Sequence, residues 1–184
     1  MLEVISNKLA KQLESSEKDN KERIYAYGLE IIISTGAGFL CILLSAFLMR
    51  VPALGVIFIL VFSPLRMFVG GYHAQTYKKC FFISVSSFLI LLFISKKIGN
   101  TILLLPVIFI FLCACCYILS KRPVINKRQE ISVQKQNRNI KIARMILEID
   151  ILGVIFLSGI SKELMCMAAL SIILVAVFIL IVEI

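Results

Sequence analysis

Acidic residues are scarce in this chain, with 11 Asp and Glu among 184 residues, alongside one histidine and no tryptophan. The hydrophilic stretches hold no acidic cluster, which argues against a lipid-modifying enzyme that gathers several Asp or His residues around a metal or a phosphate. Paired CxxC motifs and the cysteine spacing of secreted frameworks are both missing, so neither a zinc site nor a disulfide scaffold is expected from the 6 cysteines. No polar stretch reaches the ~50 residues of a separate soluble domain. The opening segment MLEVISNKLAKQLESSEKDNKER lacks the apolar h-region and small-residue cleavage site of a signal peptide, and is expected to stay on the mature protein.

What the chain has instead is apolar sequence. Hydrophobic residues make up 60% of it and the mean hydropathy is +0.97, far above the ~45–50% apolar content of soluble domains. Apolar runs recur at residues 24–49, 53–69, 81–95, 101–119, 145–160 and 164–182. Runs of ~20 residues cross a ~30 Å hydrocarbon core as helices. The expected fold is therefore all-α: one polytopic membrane domain over residues 1–184, a helical bundle of about six segments, with four as the minority topology. Segments two and three are the irregular ones. Ser63, Pro64 and Arg66 fall in the last third of the second, so its helix is expected to kink or break there, and the third has only 15 apolar residues, so a tilted or re-entrant course is expected. Ahead of the first run, Leu2, Ile5, Leu9 and Leu13 recur at helical spacing between charged residues, predicting an interfacial amphipathic helix over residues 1–22.

The formal charge is +9, which by itself would suit nucleic acid, anionic lipid or an acidic peptide. Position decides among them. The basic residues sit between the apolar runs, where they orient a membrane protein, and not along a groove, so nucleic acid is set aside. With the N-terminus inside and six crossings, the inner face carries fifteen Lys and Arg, eight of them between Lys121 and Arg144, against Arg50, Lys96, Lys97 and Lys162 outside. This asymmetry predicts a multi-pass protein of the bacterial cell membrane with residues 63–81 and a basic loop, residues 120–144, at the cytoplasmic side.

Five cysteines, Cys41, Cys113, Cys115, Cys116 and Cys166, lie inside apolar runs and read as small buried hydrophobes. Cys80 differs. It belongs to SPLRMFVGGYHAQTYKKCF, residues 63–81, which also holds a proline, an arginine beside an apolar run, paired glycines and the lone histidine. Polar groups at membrane depth are costly, roughly 2.5–3.5 kcal/mol for a central arginine, and so point to function; near the interface Arg66 would instead snorkel to the headgroups. Lys78 and Lys79 beside Cys80, and a helix start aimed at its sulfur, favour the nucleophilic thiolate. His73 supplies a group that takes a thiol proton and returns it to a leaving amine. The two would meet only if the chain folds back, because seven residues of unbroken helix hold them about 10.5 Å apart along the axis. Gly70 and Gly71 allow such a bend.

Arg66, Gly71, the His73-Ala74 pair and a cysteine seven residues after the histidine together resemble the catalytic segment of the accessory gene regulator B (AgrB) family of Gram-positive quorum-sensing systems. The likeness extends to chain length, the amphipathic N-terminus, the position of this segment between the second and third runs, and a basic loop after the fourth. It implies a membrane cysteine endopeptidase that cuts a short autoinducer propeptide, holds the acyl part as a thioester, and lets a thiol or hydroxyl within the peptide close a thiolactone or lactone ring. By the same resemblance Cys80 is the nucleophile, His73 the base, and Arg66 and Gly71 supporting positions, and the chain pairs as a homodimer. Gln75, Glu148 and Asp150 are candidates to orient the imidazole. Lys121, Arg122, Lys127 and Arg128 either sit on anionic lipid or hold the acidic C-terminal tail expected of such a precursor, whose amphipathic leader would lie on the bilayer. No metal or organic cofactor is expected. The competing reading is a small transporter or exporter of a peptide, with Arg66 on a substrate path; it needs no thiolate.

Overall fold

A computed structural model of the chain describes residues 20–69, 77–98, 104–120 and 133–183. These form six helices: α1 (Asn20–Leu48), α2 (Pro52–Val69), α3 (Tyr77–Ile98), α4 (Leu104–Ser120), α5 (Val133–Ser158) and α6 (Lys162–Glu183). No strand occurs among the described residues. The segments expected from the apolar runs are all present as helices. The interfacial helix expected over the first 22 residues lies outside the described residues, apart from the start of α1.

The surface of this bundle is the inverse of a soluble protein's. Leu48 is 81% exposed, Phe47 72% and Phe156 71%, and such residues recur along every outward face. Contiguous apolar surface of this extent fits only a hydrocarbon surround. Residues 52–69, 80–98 and 162–181 form helices long and apolar enough to cross a membrane, and residues 32–48 and 104–120 are shorter apolar helices. Hydroxyls meet the same constraint internally. Ser45, Ser95 and Ser171 donate to the carbonyls of Cys41, Leu92 and Met167 at 2.7, 3.0 and 2.7 Å, as polar groups without water must.

Helix α6 is the hub. It packs against α2, α3, α4 and α5, and every residue from Met165 to Ile172 is buried, the mark of a helix enclosed on all sides. Small side chains, Cys166, Ala168, Ala169, Ser171 and Ala176, let its neighbours approach closely. Helix α1 is peripheral, packing on α2 and α3. Where it crosses α2, a Cβ built on Gly55 would lie 2.7 Å from the Ala46 Cβ, so this close approach admits only glycine. The α1–α2 turn is tight for a readable reason. Arg50 adopts φ 57°, Arg50 N–H donates to Phe47 O and Val51 N–H to Ala46 O, closing α1 in a Schellman motif, and Pro52 opens α2 where its missing N–H costs nothing.

Three expectations are adjusted. Helix α2 continues through Pro64 to Val69, so the break expected at Ser63-Pro64 is absent. The 15-residue third run gains a turn at its N-terminal end and three residues beyond Ser95, giving 22 helical residues in α3 and removing the need for a re-entrant course. The basic stretch 120–144 is not all loop. From Val133 it is helical and merges with the fifth run to make the 26-residue α5, about 39 Å long at 1.5 Å per residue.

Candidate active site

The C-terminal end of α2 and the N-terminal end of α3 lie side by side, which brings Arg66 to Cys80 across 14 positions of sequence. The Arg66 Nη2 donates to the Cys80 Sγ at 3.8 Å, and Nη1 donates to the Ser84 Oγ at 3.4 Å. Helix α3 begins at Tyr77, so Cys80 sits in its first turn with Ser84 one turn further along the same face.

Arg66 does not snorkel. It is only 8% exposed, turned into the bundle between two rings, with its guanidinium carbon 5.3 Å from the centroid of Phe62 and 5.1 Å from that of Phe178. Those rings meet each other edge-on at 5.9 Å, and Phe62 stacks on Phe58, which tilts against Phe88 of α3 at 5.4 Å. An aromatic column from α2, α3 and α6 thus fixes the guanidinium plane from behind, while its fork addresses Cys80 and Ser84. Cation–π contacts of this kind, worth roughly 0.5–2 kcal/mol each, offset part of the cost of burying the charge.

Beside this pair opens a cavity of about 480 Å³ between α1, α2 and α3, with Arg66, Cys80 and Ser84 on its wall. Its volume falls within the ~300–1,000 Å³ of small-molecule sites. Chemically the arrangement offers a half-buried sulfur, a cation directed at it, and a largely apolar space for whatever the sulfur attacks.

Of the residues expected from sequence, the structure brings together Arg66 and Cys80. His73, Gly71 and Gln75 lie outside the described residues, as do Lys121, Arg122, Lys127 and Arg128. Glu148 is exposed, and Asp150 lies within electrostatic reach of Cys115 on α4, so neither joins the Arg66–Cys80 pair. The Asp150 Oδ2 is buried without a hydrogen-bond partner among the described residues. All 6 cysteines are thiols; Cys115 and Cys166 are core residues as expected, Cys41 is half-buried, and Cys113 and Cys116 face outward. Among the described residues no group of His, Cys, Asp and Glu could hold a metal ion. Sequence reasoning missed Ser84, Phe62 and Phe178. The four-residue step from Cys80 could have shown Ser84, whereas Phe178 reaches the site only through the packing of α6.

An AgrB-like protein of Clostridium perfringens strain SM101 is 25% identical over 186 residues, covering 95% of this chain and 87% of its own length. AgrB-like protein 2 of Clostridium perfringens strain 13 is 24% identical over 167 residues, covering 84% and 78%. No solved structure matches. Residues 2–181 match the family described as Accessory gene regulator B. A helical membrane bundle with this reach of similarity therefore belongs to the accessory gene regulator B family.

Proposed function

We propose that the chain is a membrane cysteine endopeptidase that cleaves an autoinducer propeptide and cyclises the part it retains. The observation that carries this reading is the 3.8 Å contact between a buried guanidinium and the Cys80 sulfur at the edge of a cavity. A buried cation aimed at a sulfur stabilises negative charge there, which a nucleophile carries before attack and regains when it leaves.

In the proposed reaction His73 takes the Cys80 proton, and the thiolate adds to the scissile carbonyl. The C–N bond breaks as the imidazolium hands that proton to the departing amine, leaving an acyl thioester on Cys80. A thiol or hydroxyl within the retained segment then attacks the thioester, its proton passing to His73. Cys80 leaves as thiolate while the ring closes, and reprotonation restores the starting state. Water is the competing acceptor, and an apolar pocket at the membrane interface keeps it out. The propeptide is short, its amphipathic leader lies on the bilayer, and its acidic C-terminal tail meets the basic segment of Lys121, Arg122, Lys127 and Arg128.

The reading takes six crossings with the N-terminus inside, which would put the α2–α3 ends, and so the reaction, on the cytoplasmic side; the excess of Lys and Arg on that side in this topology supports it. The test is processing of a co-expressed propeptide with an amphipathic leader, a central Cys or Ser and an acidic tail, in cells carrying Cys80→Ser or His73→Ala. Both variants should leave the precursor full length. A carrier would tolerate loss of the thiol, so processed peptide accumulating normally in Cys80→Ser cells would reject the peptidase.

A further inference from the structure

The cavity beside Cys80 has a composition that says what it holds. Arg66, Cys80 and Ser84 lie on its wall, with the hydroxyls of Ser34, Thr35 and Ser63, but most of the wall is apolar: Phe39 and Ile42 from α1, Phe58 and Phe62 from α2, and Phe81 from α3 among them. Ile42 and Phe58 are 2% and 1% exposed, so this wall is set in the protein core. Gly38 stands among them, one turn before Ile42 on the same face of α1. It is buried, yet a Cβ built on it meets only the Phe81 Cδ2, at 3.9 Å. The space next to Gly38 is therefore open because the residue there has no side chain, in contrast to Gly55, where the neighbouring helix fills it.

We infer that this cavity is the subsite for the side chain of the residue whose carbonyl Cys80 attacks, and that it selects a large apolar residue such as Leu, Met or Phe at that position, with Gly38 setting its depth. The inference rests on the reading of Cys80 as nucleophile. The chemistry of attachment fixes the occupant: in a thioester the Cβ of the acylating residue is three bonds from the sulfur, and the sulfur forms part of the cavity wall. That side chain must enter this space or turn out into the bilayer. Lipid tails are as apolar as any side chain, so selection comes from fit against the aromatic wall and not from escape from water.

The test uses the full chain in vesicles of phosphatidylcholine and phosphatidylglycerol, treated with peptidyl chloromethyl ketones that differ only in carrying Gly, Ala, Leu or Phe next to the ketone. Alkylation forms a carbon–sulfur bond and expels chloride, and intact-protein mass spectrometry with peptide mapping reads the rate at Cys80. Leu and Phe probes should react about tenfold or more faster than the Gly probe, the scale on which an apolar pocket distinguishes side chains. Gly38→Leu puts a side chain into the open space beside Phe81 and should lower the Leu and Phe rates toward that of Gly, while the unfolding midpoint of the chain in detergent, which reports an intact bundle, stays that of wild type. Ile42→Ala, which deepens the cavity instead, should shift the preference from Leu toward Phe. The same order of rates in wild type and both variants, or no order at all, would overturn the subsite. Failure of the nucleophile reading looks different: no probe would alkylate Cys80 faster than it alkylates the other cysteines of Cys80→Ser, and the subsite would fall with it.

Discussion

Arg66 joins stability to chemistry, and replacing it separates the two. Arg66→Met keeps an unbranched side chain between Phe62 and Phe178 but removes the charge and with it the bonds donated to the Cys80 Sγ at 3.8 Å and the Ser84 Oγ at 3.4 Å. On the stability side, a buried charge replaced by an apolar group of similar volume is often neutral or stabilising, so the bundle should unfold in detergent within about 1 kcal/mol of wild type or above it. On the rate side, a hydrogen bond to a charged group is worth a net ~1.5–3 kcal/mol, and each ~1.4 kcal/mol is tenfold in rate, so acylation should slow about 10- to 150-fold. Arg66→Lys should recover only part of this, since one ammonium keeps the charge without the fork that reaches two partners at once. The assay pairs thermal unfolding of the purified chain with the single-turnover rate of precursor cleavage in vesicles. If Arg66→Met cleaves within twofold of wild type, the guanidinium is merely packed beside the sulfur and the electrostatic argument is refuted; a stability loss beyond ~3 kcal/mol would show that Arg66 is needed for the fold.

Other expectations follow from single contacts. Gly55→Ala forces a Cβ to within 2.7 Å of the Ala46 Cβ and should cost roughly 1–3 kcal/mol in thermal unfolding, most of it recovered by adding Ala46→Gly; no recovery would mean the strain lies elsewhere. Arg50 holds φ 57°, so Arg50→Gly should raise stability by about 1 kcal/mol, seen as a higher unfolding midpoint. Ser84→Ala removes one bond to Arg66 and leaves the contact to Cys80, so single-turnover cleavage should fall about three- to tenfold. Reversing Lys121, Arg122, Lys127 and Arg128 to Glu should slow cleavage of a precursor with an acidic tail, most strongly at low ionic strength, and change nothing for a precursor whose tail is neutralised.

How much could be read beforehand follows from where each signal lives. Apolar runs fix helices by local composition, so all six were legible, but their ends were not. Seven of residues 133–144 are Gln, Lys, Arg or Ala, good helix formers, and none is Gly or Pro, so the segment is helical although its hydropathy reads as loop. Pro64 does not end its helix. It stands in the last turns of α2, and the helix passes through it to Val69. Arg66 and Cys80 were marked from sequence because each is out of place near an apolar run, and a chain reversal between their helices was implied by Gly70 and Gly71. The ring behind the guanidinium was not legible, since Phe178 lies 112 positions away and meets Arg66 only because α6 occupies the middle of the bundle. The cavity likewise depends on α1, where Gly38 has no distinguishing sequence signal.

The central claim is a covalent one, that the retained part of the precursor passes through a thioester on Cys80. It is tested most directly with a precursor whose ring-closing cysteine or serine is replaced by alanine, so that the acyl group cannot leave by cyclisation. Intact-protein mass spectrometry of the chain in vesicles should then show an adduct equal to the N-terminal fragment less one water, removed by hydroxylamine, mapped to Cys80 and absent from Cys80→Ser. Cleavage by Cys80→Ser at the wild-type rate, or an adduct carried by any other residue, would contradict the account.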